Sequence, residues 1–262
     1  NSLVVYQCGR RLTAYHKNSL PNYQVFDERR YFVAGTEPTV CEIEGIRIGL
    51  LVCEDVWIPE VVEATCALGV DFIVVVNASP FAENKISERH WHLTDRSSNN
   101  QIPIAYVNLV GGQDELVFDG GSFAVNRRGK IVAQANFFAE EMLDISWDGE
   151  DLADSCIAAL PSKDWLLYQA LVTGVRDYFA KTGFKKAVLG LSGGIDSALT
   201  LVCAVDALGA ENVHAVMMPY LYTAEISVTD ARRQAEILGC EFSIVSIEPM
   251  VREFMGVLGP FF

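Results

Sequence analysis

The sequence is short of basic charge. Its 20 lysines and arginines stand against 34 aspartates and glutamates, a formal net charge of −14, and that deficit argues against a broad nucleic-acid or anionic-membrane surface. Small anionic ligands stay open at locally basic or amide-rich pockets. No uninterrupted apolar stretch approaches the ~18 residues of a membrane span, and the opening residues NSLVVYQ form no basic-then-apolar leader. CxxC pairs are absent. The seven cysteines, an odd number spread over the whole length, fit reduced intracellular thiols rather than a disulfide frame or a zinc site. The expected compartment is the cytoplasm. Internal repeats and low-complexity tracts are missing as well. What is there is a chain of 262 residues, half of them hydrophobic, enough for one large domain or two ordinary ones. It opens without Met in the strand-like SLVVYQ and stops in the apolar GVLGPFF. It therefore reads as a segment of a longer protein or as a chain numbered from an internal residue.

The first part alternates strand-like runs with loops: SLVVYQC, RIGLLVC, DFIVVVN, IPIAYVN and SFAVNRRGKIVAQA. Helical spacers such as PEVVEATCALG lie between them, which predicts an α/β sandwich with both sheet faces covered. The acidic stretch DISWDGEDLADS has no clear period and marks a boundary. The expected division is a first domain over 1–150, a linker over 151–162 and a second domain over 163–262. Beyond the boundary, Trp165, Tyr168, Val172, Val175 and Phe179 recur at helical steps. A strand at AVLGL, a Gly-rich turn, a helix from about Ser197 to Leu208 and a strand at VHAVMMP follow. In SVTDARRQAEILG, Ser227 reads as an N-cap with Asp230 three residues on and Gly239 past the end, and DARRQAE reads as a salt-bridged outer face. The order β-α-β-α begins an open parallel sheet.

Two stretches carry chemistry. In GLLVCEDVW a short apolar run reads as a buried strand that delivers Cys53 to its end, directly before Glu54 and Asp55. Adjacent negative charge raises a thiol's pKa, so Cys53 is either inert or offset by a cation from elsewhere. In GLSGGIDSA, between a strand and a helix, Gly193 and Gly194 let backbone N–H groups approach an anion, and Ser192 and Ser197 add hydroxyls at the helix start. Asp196 is out of place beside phosphate until a divalent cation is included. Neither GxxxxGK[ST] nor GxGxxG is present, which excludes a Walker loop and the dinucleotide fingerprint.

The second string resembles the SGGxDS signature of the N-type ATP pyrophosphatases, enzymes that cleave ATP between the α and β phosphates to activate a carboxylate or similar oxygen. The resemblance implies that Gly190, Leu191, Ser192, Gly193, Gly194, Ile195, Asp196 and Ser197 bind ATP and that Asp196 holds Mg2+. The first part, through Lys17, LPNY, FDERRYF, Gly35, GLLVCEDVW, VNASPFAENK and NLVGGQDELVFDGGSFAVNRRGK, resembles the nitrilase superfamily. The implied fold is a partial nitrilase-like α-β-β-α sandwich followed by the start of a Rossmann-like parallel-sheet ATP pyrophosphatase domain. Lys17 is then the cation that stabilises the Cys53 thiolate and the oxyanion. The backbone N–H of Glu54 is a second oxyanion donor, and Glu28 is the family's additional glutamate beside the lysine. Within that superfamily the first part is most similar to the glutaminase domain of glutamine-dependent NAD synthetases; glutamine is a zwitterion, so its pocket needs an acid and polar or basic groups, and Glu54, Ser79 and Lys85 are the candidates, with Tyr23 and Trp57 as walls. The family's general-base glutamate lies well upstream of the lysine, and in relatives the helices that bind deamido-NAD follow the position of residue 262.

Joined, the two modules resemble glutamine-dependent NAD synthetases. The implied activity is ATP-dependent amidation of deamido-NAD with ammonia released from glutamine at Cys53, in a homo-oligomeric enzyme with no nucleic-acid or membrane partner. The alternatives are a nitrilase-type amidase whose second domain senses nucleotide, and a non-catalytic fragment. His90 and His92 are two apart and do not share a helix face, so they make no metal pair. The Arg pairs at 29–30 and 127–128 read as solvated charges.

Overall fold

In the computed structural model, residues 1–261 are described, and the chain separates into two compact units. The first takes Asn1–Gly111 and Leu116–Leu167; the second takes Gly112–Glu115 and the chain from Tyr168 onward.

The first unit opens with the antiparallel hairpin β1 (Ser2–Gln7) and β2 (Arg10–His16), followed by a single helical turn α1 (Glu28–Tyr31). Its main sheet is built from β3 (Val40–Ile43), β4 (Ile46–Val52), β5 (Phe72–Asn77), β6 (Ile104–Asn108), β9 (Phe123–Val125) and β10 (Ile131–Gln134). Between these run the helices α2 (Pro59–Cys66) and α3 (Lys85–Asn100) and the two-stranded ribbon of β7 (Val110–Gln113) and β8 (Leu116–Asp119). The sheet order is β10-β9-β6-β5-β4-β3, parallel through β4-β5-β6 and antiparallel elsewhere.

The three parallel strands are the near-continuous apolar runs, as a sheet covered on both faces requires. Leu50, Leu51, Ile73, Val75, Ile104 and Tyr106 form one core with Tyr15 of the hairpin and with Val62 and Leu93 of the helices. Full burial of each aliphatic side chain contributes roughly 1.5–3 kcal/mol. Gly49 sits in the middle of β4 because α2 packs closely there: a Cβ at this position would lie 2.6 Å from Thr65 Cγ2. Helix α3 presents Ile86, Arg89, Leu93 and Ser97 as its buried stripe, a helical spacing with one charged member.

The acidic stretch DISWDGEDLADS lacks periodicity because its backbone pairs along the sheet edge while few of its side chains are buried. Ser155 N–H donates to Val132 O at 2.7 Å, Gln134 N–H to Cys156 O at 2.9 Å and Ala158 N–H to Gln134 O at 3.0 Å. Leu152 is buried, and Trp147 stacks on Phe72 with ring centres 5.8 Å apart.

The second unit contains most of α4 (Lys163–Thr182), then β11 (Ala187–Gly190), α5 (Ile195–Leu208), β12 (Val213–Met217), α6 (Glu225–Leu238), β13 (Glu241–Ile244) and α7 (Glu248–Leu258). Its three strands are parallel in the order β11-β12-β13. Leu191, Leu201, Ala204, Val213, Ala215, Met217, Ala231 and Ala235 form its core. Ser227 is not the N-cap of α6: the helix begins two residues earlier, at Glu225, and Ala224 caps it without a side-chain bond. The expected ion-pair face is also absent; among the described residues α6 carries no ion pair, and Arg232 lies 5.5 Å over the Phe242 ring.

Candidate active site

Cys53 follows β4 directly and begins a tight helical turn, Cys53–Trp57. Its φ is +49°, a left-handed conformation that costs a residue with a Cβ about 1–2 kcal/mol. The cost is carried by anchors on both sides of the turn. Asp55 is fully buried and its carboxylate accepts four hydrogen bonds: from Val52 N–H at 3.0 Å, Tyr15 O–H at 2.8 Å, Asn18 N–H at 3.1 Å and Ser19 N–H at 2.7 Å. One carboxylate thus ties the strand end before the cysteine to the segment that follows Lys17. Gly35 N–H holds that segment from the other side, donating to Lys17 O at 2.8 Å.

Lys17 is 1% exposed, and its Nζ lies 2.7 Å from Glu28 Oε1. Asn1 Nδ2 donates to the other Glu28 oxygen at 3.2 Å. Lys17, Glu28 and Cys53 share the wall of a cavity of about 280 Å³ with Asn77 and Phe26. Burial pushes the Cys53 thiol up; the Lys17 ammonium pulls it down, Glu54 and Glu28 push it up again, and Arg89 pulls it down.

Cys53 also lines a second, adjoining cavity of about 440 Å³, and the structure brings Tyr23, Glu54, Trp57, Ser79 and Lys85 together around it. Tyr23 O–H donates to both Glu54 oxygens, at 3.0 and 2.9 Å. Burial first, and then the Glu54 carboxylate, holds that phenol well above its ordinary range. Lys85 Nζ sits 4.0 Å over the Trp57 ring and 3.1 Å from Glu88 Oε2, and His92 stacks on the same indole at 4.1 Å. His90 takes another direction, against Phe123 and Gln134.

Three residues of this region escape a reading of the sequence: Asp55 as an anchor, Arg89 and Asp119. Arg89 Nη1 donates to both oxygens of the fully buried Asp119, at 2.8 and 2.9 Å. Its Nη2 reaches Ser79 O at 2.9 Å and Pro80 O at 3.0 Å, and its Nε reaches Ser79 Oγ at 3.1 Å. The detectable signal is the stripe 86, 89, 93, 97 of α3, which puts an arginine where only a paired charge is tolerated.

In the second unit the turn after β11 has its own logic. Leu191 N–H continues the strand pairing to Val216 O at 2.9 Å. Gly193 has φ +79° and lies so close to α6 that a Cβ would meet Ser227 O at 2.3 Å, so only glycine fits on both counts. Ser192 and Ser197 bond through their hydroxyls at 2.9 Å, and Ser197 Oγ donates to Gly194 O at 3.0 Å. Gly194 precedes α5, with Ile195 and Asp196 exposed in its first turn. This is a helix start with free N–H groups, the kind of site that accepts phosphate. Among the described residues no group of three or more His, Cys, Asp or Glu could hold a metal by itself. Asp196 alone still fits magnesium, which takes one or two carboxylates and completes its shell with water and phosphate oxygens.

The comparisons with known proteins agree with this layout. Residues 1–154 match the carbon-nitrogen hydrolase family, and the chain belongs to it. Residues 167–260 match the NAD synthase family model. The chain is 46% identical, over its whole length, to the glutamine-dependent NAD(+) synthetase of Acinetobacter baylyi, of which it covers 49%. It is 41% identical over 97% of its length to the enzyme of that description from Aquifex aeolicus, covering 51% of it. Among solved structures, glutamine-dependent NAD+ synthetase from Acinetobacter baumannii in complex with ADP superposes with a TM-score of 0.95 at 45% identity, covering all of this chain and 50% of that one. The chain therefore spans about half the length of the relatives it matches.

Proposed function

We propose that this chain carries the glutaminase site and the ATP loop of a glutamine-dependent NAD synthetase, with residues 1–150 as the glutaminase domain, 151–162 as linker and 163–262 as synthetase domain. The observation that supports it best is the buried Lys17–Glu28 pair facing Cys53 in one cavity wall. Cys53 Sγ attacks the side-chain amide carbon of glutamine, the C–N bond breaks to release ammonia, and water then hydrolyses the thioester to glutamate. Lys17 and the backbone N–H of Glu54, which as an early N–H of a helical turn has no partner within it, hold the oxyanion. The resemblance assigns the general base to a glutamate upstream of Lys17, and residues 1–16 contain none.

Glu54 takes the substrate ammonium, Ser79 and Lys85 its carboxylate, and Tyr23 and Trp57 flank it. In the second domain, residues Gly190 to Ser197 bind ATP. Asp196 is the residue that would hold Mg2+, which neutralises phosphate charge when bound. ATP is cleaved to adenylate the nicotinate carboxylate of deamido-NAD and release pyrophosphate. Ammonia displaces AMP from that carbon to give NAD. A homo-oligomeric state and a cytoplasmic location belong to the same proposal, on the resemblance; no helix of the described residues is long and apolar enough to cross a membrane.

The test is NAD formation from deamido-NAD with MgATP, supplied once with glutamine and once with ammonium chloride. Cys53→Ala is expected to abolish the glutamine-driven reaction and to leave the ammonia-driven one intact. Equal loss of both refutes the proposal.

A further inference from the structure

The interior of the first unit holds one arginine whose entire donor set is spent on protein, and its partners explain its placement. Arg89 and Asp119 are 2% and 0% exposed. Removing either partner of such a pair would strand a buried charge. Here Asp119 fixes the guanidinium through Nη1, which leaves Nη2 to grip the carbonyls of Ser79 and Pro80 and Nε to meet Ser79 Oγ. From the other side, Asn108 Oδ1 accepts from Ser79 N–H at 3.0 Å, and Asn108 Nδ2 reaches Gly120 O at 3.1 Å. The loop at Ser79 is thereby held at its N–H, its carbonyl and its hydroxyl.

The hydroxyl contact has a chemical consequence. Arg89 Nε can only donate, so Ser79 Oγ accepts there, and the Ser79 O–H proton remains for another acceptor. Among the described residues the one protein group beside it is the buried Tyr106 hydroxyl, which makes no hydrogen bond of normal geometry, and Ser79 lines the cavity that Cys53, Glu54 and Lys85 share. We propose that Arg89, locked by Asp119, is a positioning residue that makes Ser79 a hydrogen-bond donor for the carboxylate of an α-amino acid substrate. The arginine never touches the substrate; it decides that Ser79 offers a proton rather than a lone pair. This assignment rests on the glutaminase reading and deepens it, because it adds selection for an anionic group at the Lys85 end of the cavity.

The test uses the whole chain and needs no turnover. Cys53 is alkylated with iodoacetamide, its peptide is followed by mass spectrometry, and the concentration of added amide that halves the rate is recorded. Three amides are compared: glutamine, 4-aminobutanamide, which lacks the carboxylate, and glutaramate, which keeps it and lacks the amine. A hydrogen bond to a charged group accounts for roughly tenfold or more in affinity. Ser79→Ala and Arg89→Lys are therefore expected to raise the half-protection concentration about tenfold for glutamine and glutaramate. They should leave protection by 4-aminobutanamide unchanged, each variant's rates being taken relative to its own unprotected rate. Ser79→Ala keeps the Arg89–Asp119 pair and so remains informative if Arg89→Lys fails to fold. If glutamine protects the wild-type thiol and Ser79→Ala protects equally well, or if all three amides weaken together, the positioning role is overturned while the glutaminase reading stands. If glutamine gives no protection of the wild-type thiol, both fall.

Discussion

Asp55→Asn is expected to destabilise the first unit and to slow Cys53, although residue 55 does not line either cavity around the thiol. The carboxylate accepts from four donors, two on each oxygen: Asn18 and Ser19 N–H on Oδ1, Val52 N–H and Tyr15 O–H on Oδ2. An amide has one acceptor oxygen. If its nitrogen replaces Oδ1, it confronts two backbone N–H groups; if it replaces Oδ2, it confronts one, and the Tyr15 hydroxyl can turn to accept. The second arrangement is cheaper and leaves the Val52 N–H opposed by a donor. A stranded buried donor costs about 1–3 kcal/mol, and bonds to a neutral oxygen are about half as strong as those to a carboxylate. Burial opposes the charged form and pushes the Asp55 carboxyl above its ordinary range, so the neutral amide recovers part of the desolvation. The net loss works out at about 2–3 kcal/mol. For a unit of this size each kcal/mol moves Tm by about 2–4 °C, so the first thermal transition should fall by about 4–12 °C. The same substitution releases the strand end before Cys53 from the side chain that also holds the Lys17 segment, so alkylation of Cys53 at fixed pH should slow. A transition within about 1 °C of wild type, together with an unchanged alkylation rate, would refute the reasoning that one carboxylate sets the spacing of lysine and cysteine.

Two further outcomes follow from the site geometry. The pH midpoint for Cys53 alkylation should lie above the ordinary thiol value, because burial is the largest influence on it. Lys17→Met removes a charge that lowers the thiol and should move the midpoint higher, while Glu28→Gln removes one that raises it and should move it lower. Peptide-resolved alkylation rates between neutral and alkaline pH decide the signs, and movement of either in the opposite direction would sink the electrostatic account. In the second unit, Gly193→Ala must accept a φ of +79° and a Cβ 2.3 Å from Ser227 O. The conformation alone costs about 1–2 kcal/mol, and the contact forces α6 away from the turn. Its thermal transition should fall by several degrees and ATP or ADP binding, followed by calorimetry, should be lost; retained nucleotide affinity would show that the turn is not the phosphate site.

How far the sequence discloses this molecule depends on which force fixes each part. Strands β4, β5, β6, β9, β10, β11 and β12 are legible because burial on both faces or regular hairpin pairing writes apolar runs into the chain. Helices α2, α4 and α5 follow from period and punctuation. Helix α3 is hard to see: its stripe contains Arg89 and Ser97, and its mean character is polar, so its burial depends on a partner, Asp119, far along the chain. The edge pairing of 144–158 is invisible for a different reason, since backbone hydrogen bonds carry no side-chain signature. From the sequence the start of α6 reads three residues late because Ser227 offers cap chemistry, yet close approach to Gly193 places it inside the first turn and Ala224 at the boundary. The residues brought together at Cys53 were legible only through motifs. Nothing in local pattern links Lys17 to Cys53, whereas the strand end and the buried acid that join them are products of tertiary packing.

The acids after Cys53 make sense once their directions are separated. In sequence, Glu54 and Asp55 look like two charges that weaken a thiol. In the fold they diverge: Glu54 turns toward the outer cavity and is covered by the Tyr23 hydroxyl, while Asp55 turns inward and spends its charge on four donors. Of the two, only Glu54 acts on the Cys53 thiol among its principal influences, and it ranks below Lys17. Asp55 works in the opposite sense to its charge, because the segment it pins is the one that presents Lys17. A carboxylate beside a nucleophilic cysteine can therefore strengthen it, provided its oxygens are consumed by backbone donors that deliver a cation. That condition separates Asp55→Glu from Asp55→Asn: the longer acid keeps the charge but cannot place both oxygens on the same four donors. Geometry, rather than charge, is then what the alkylation rate of the Asp55→Glu protein would report.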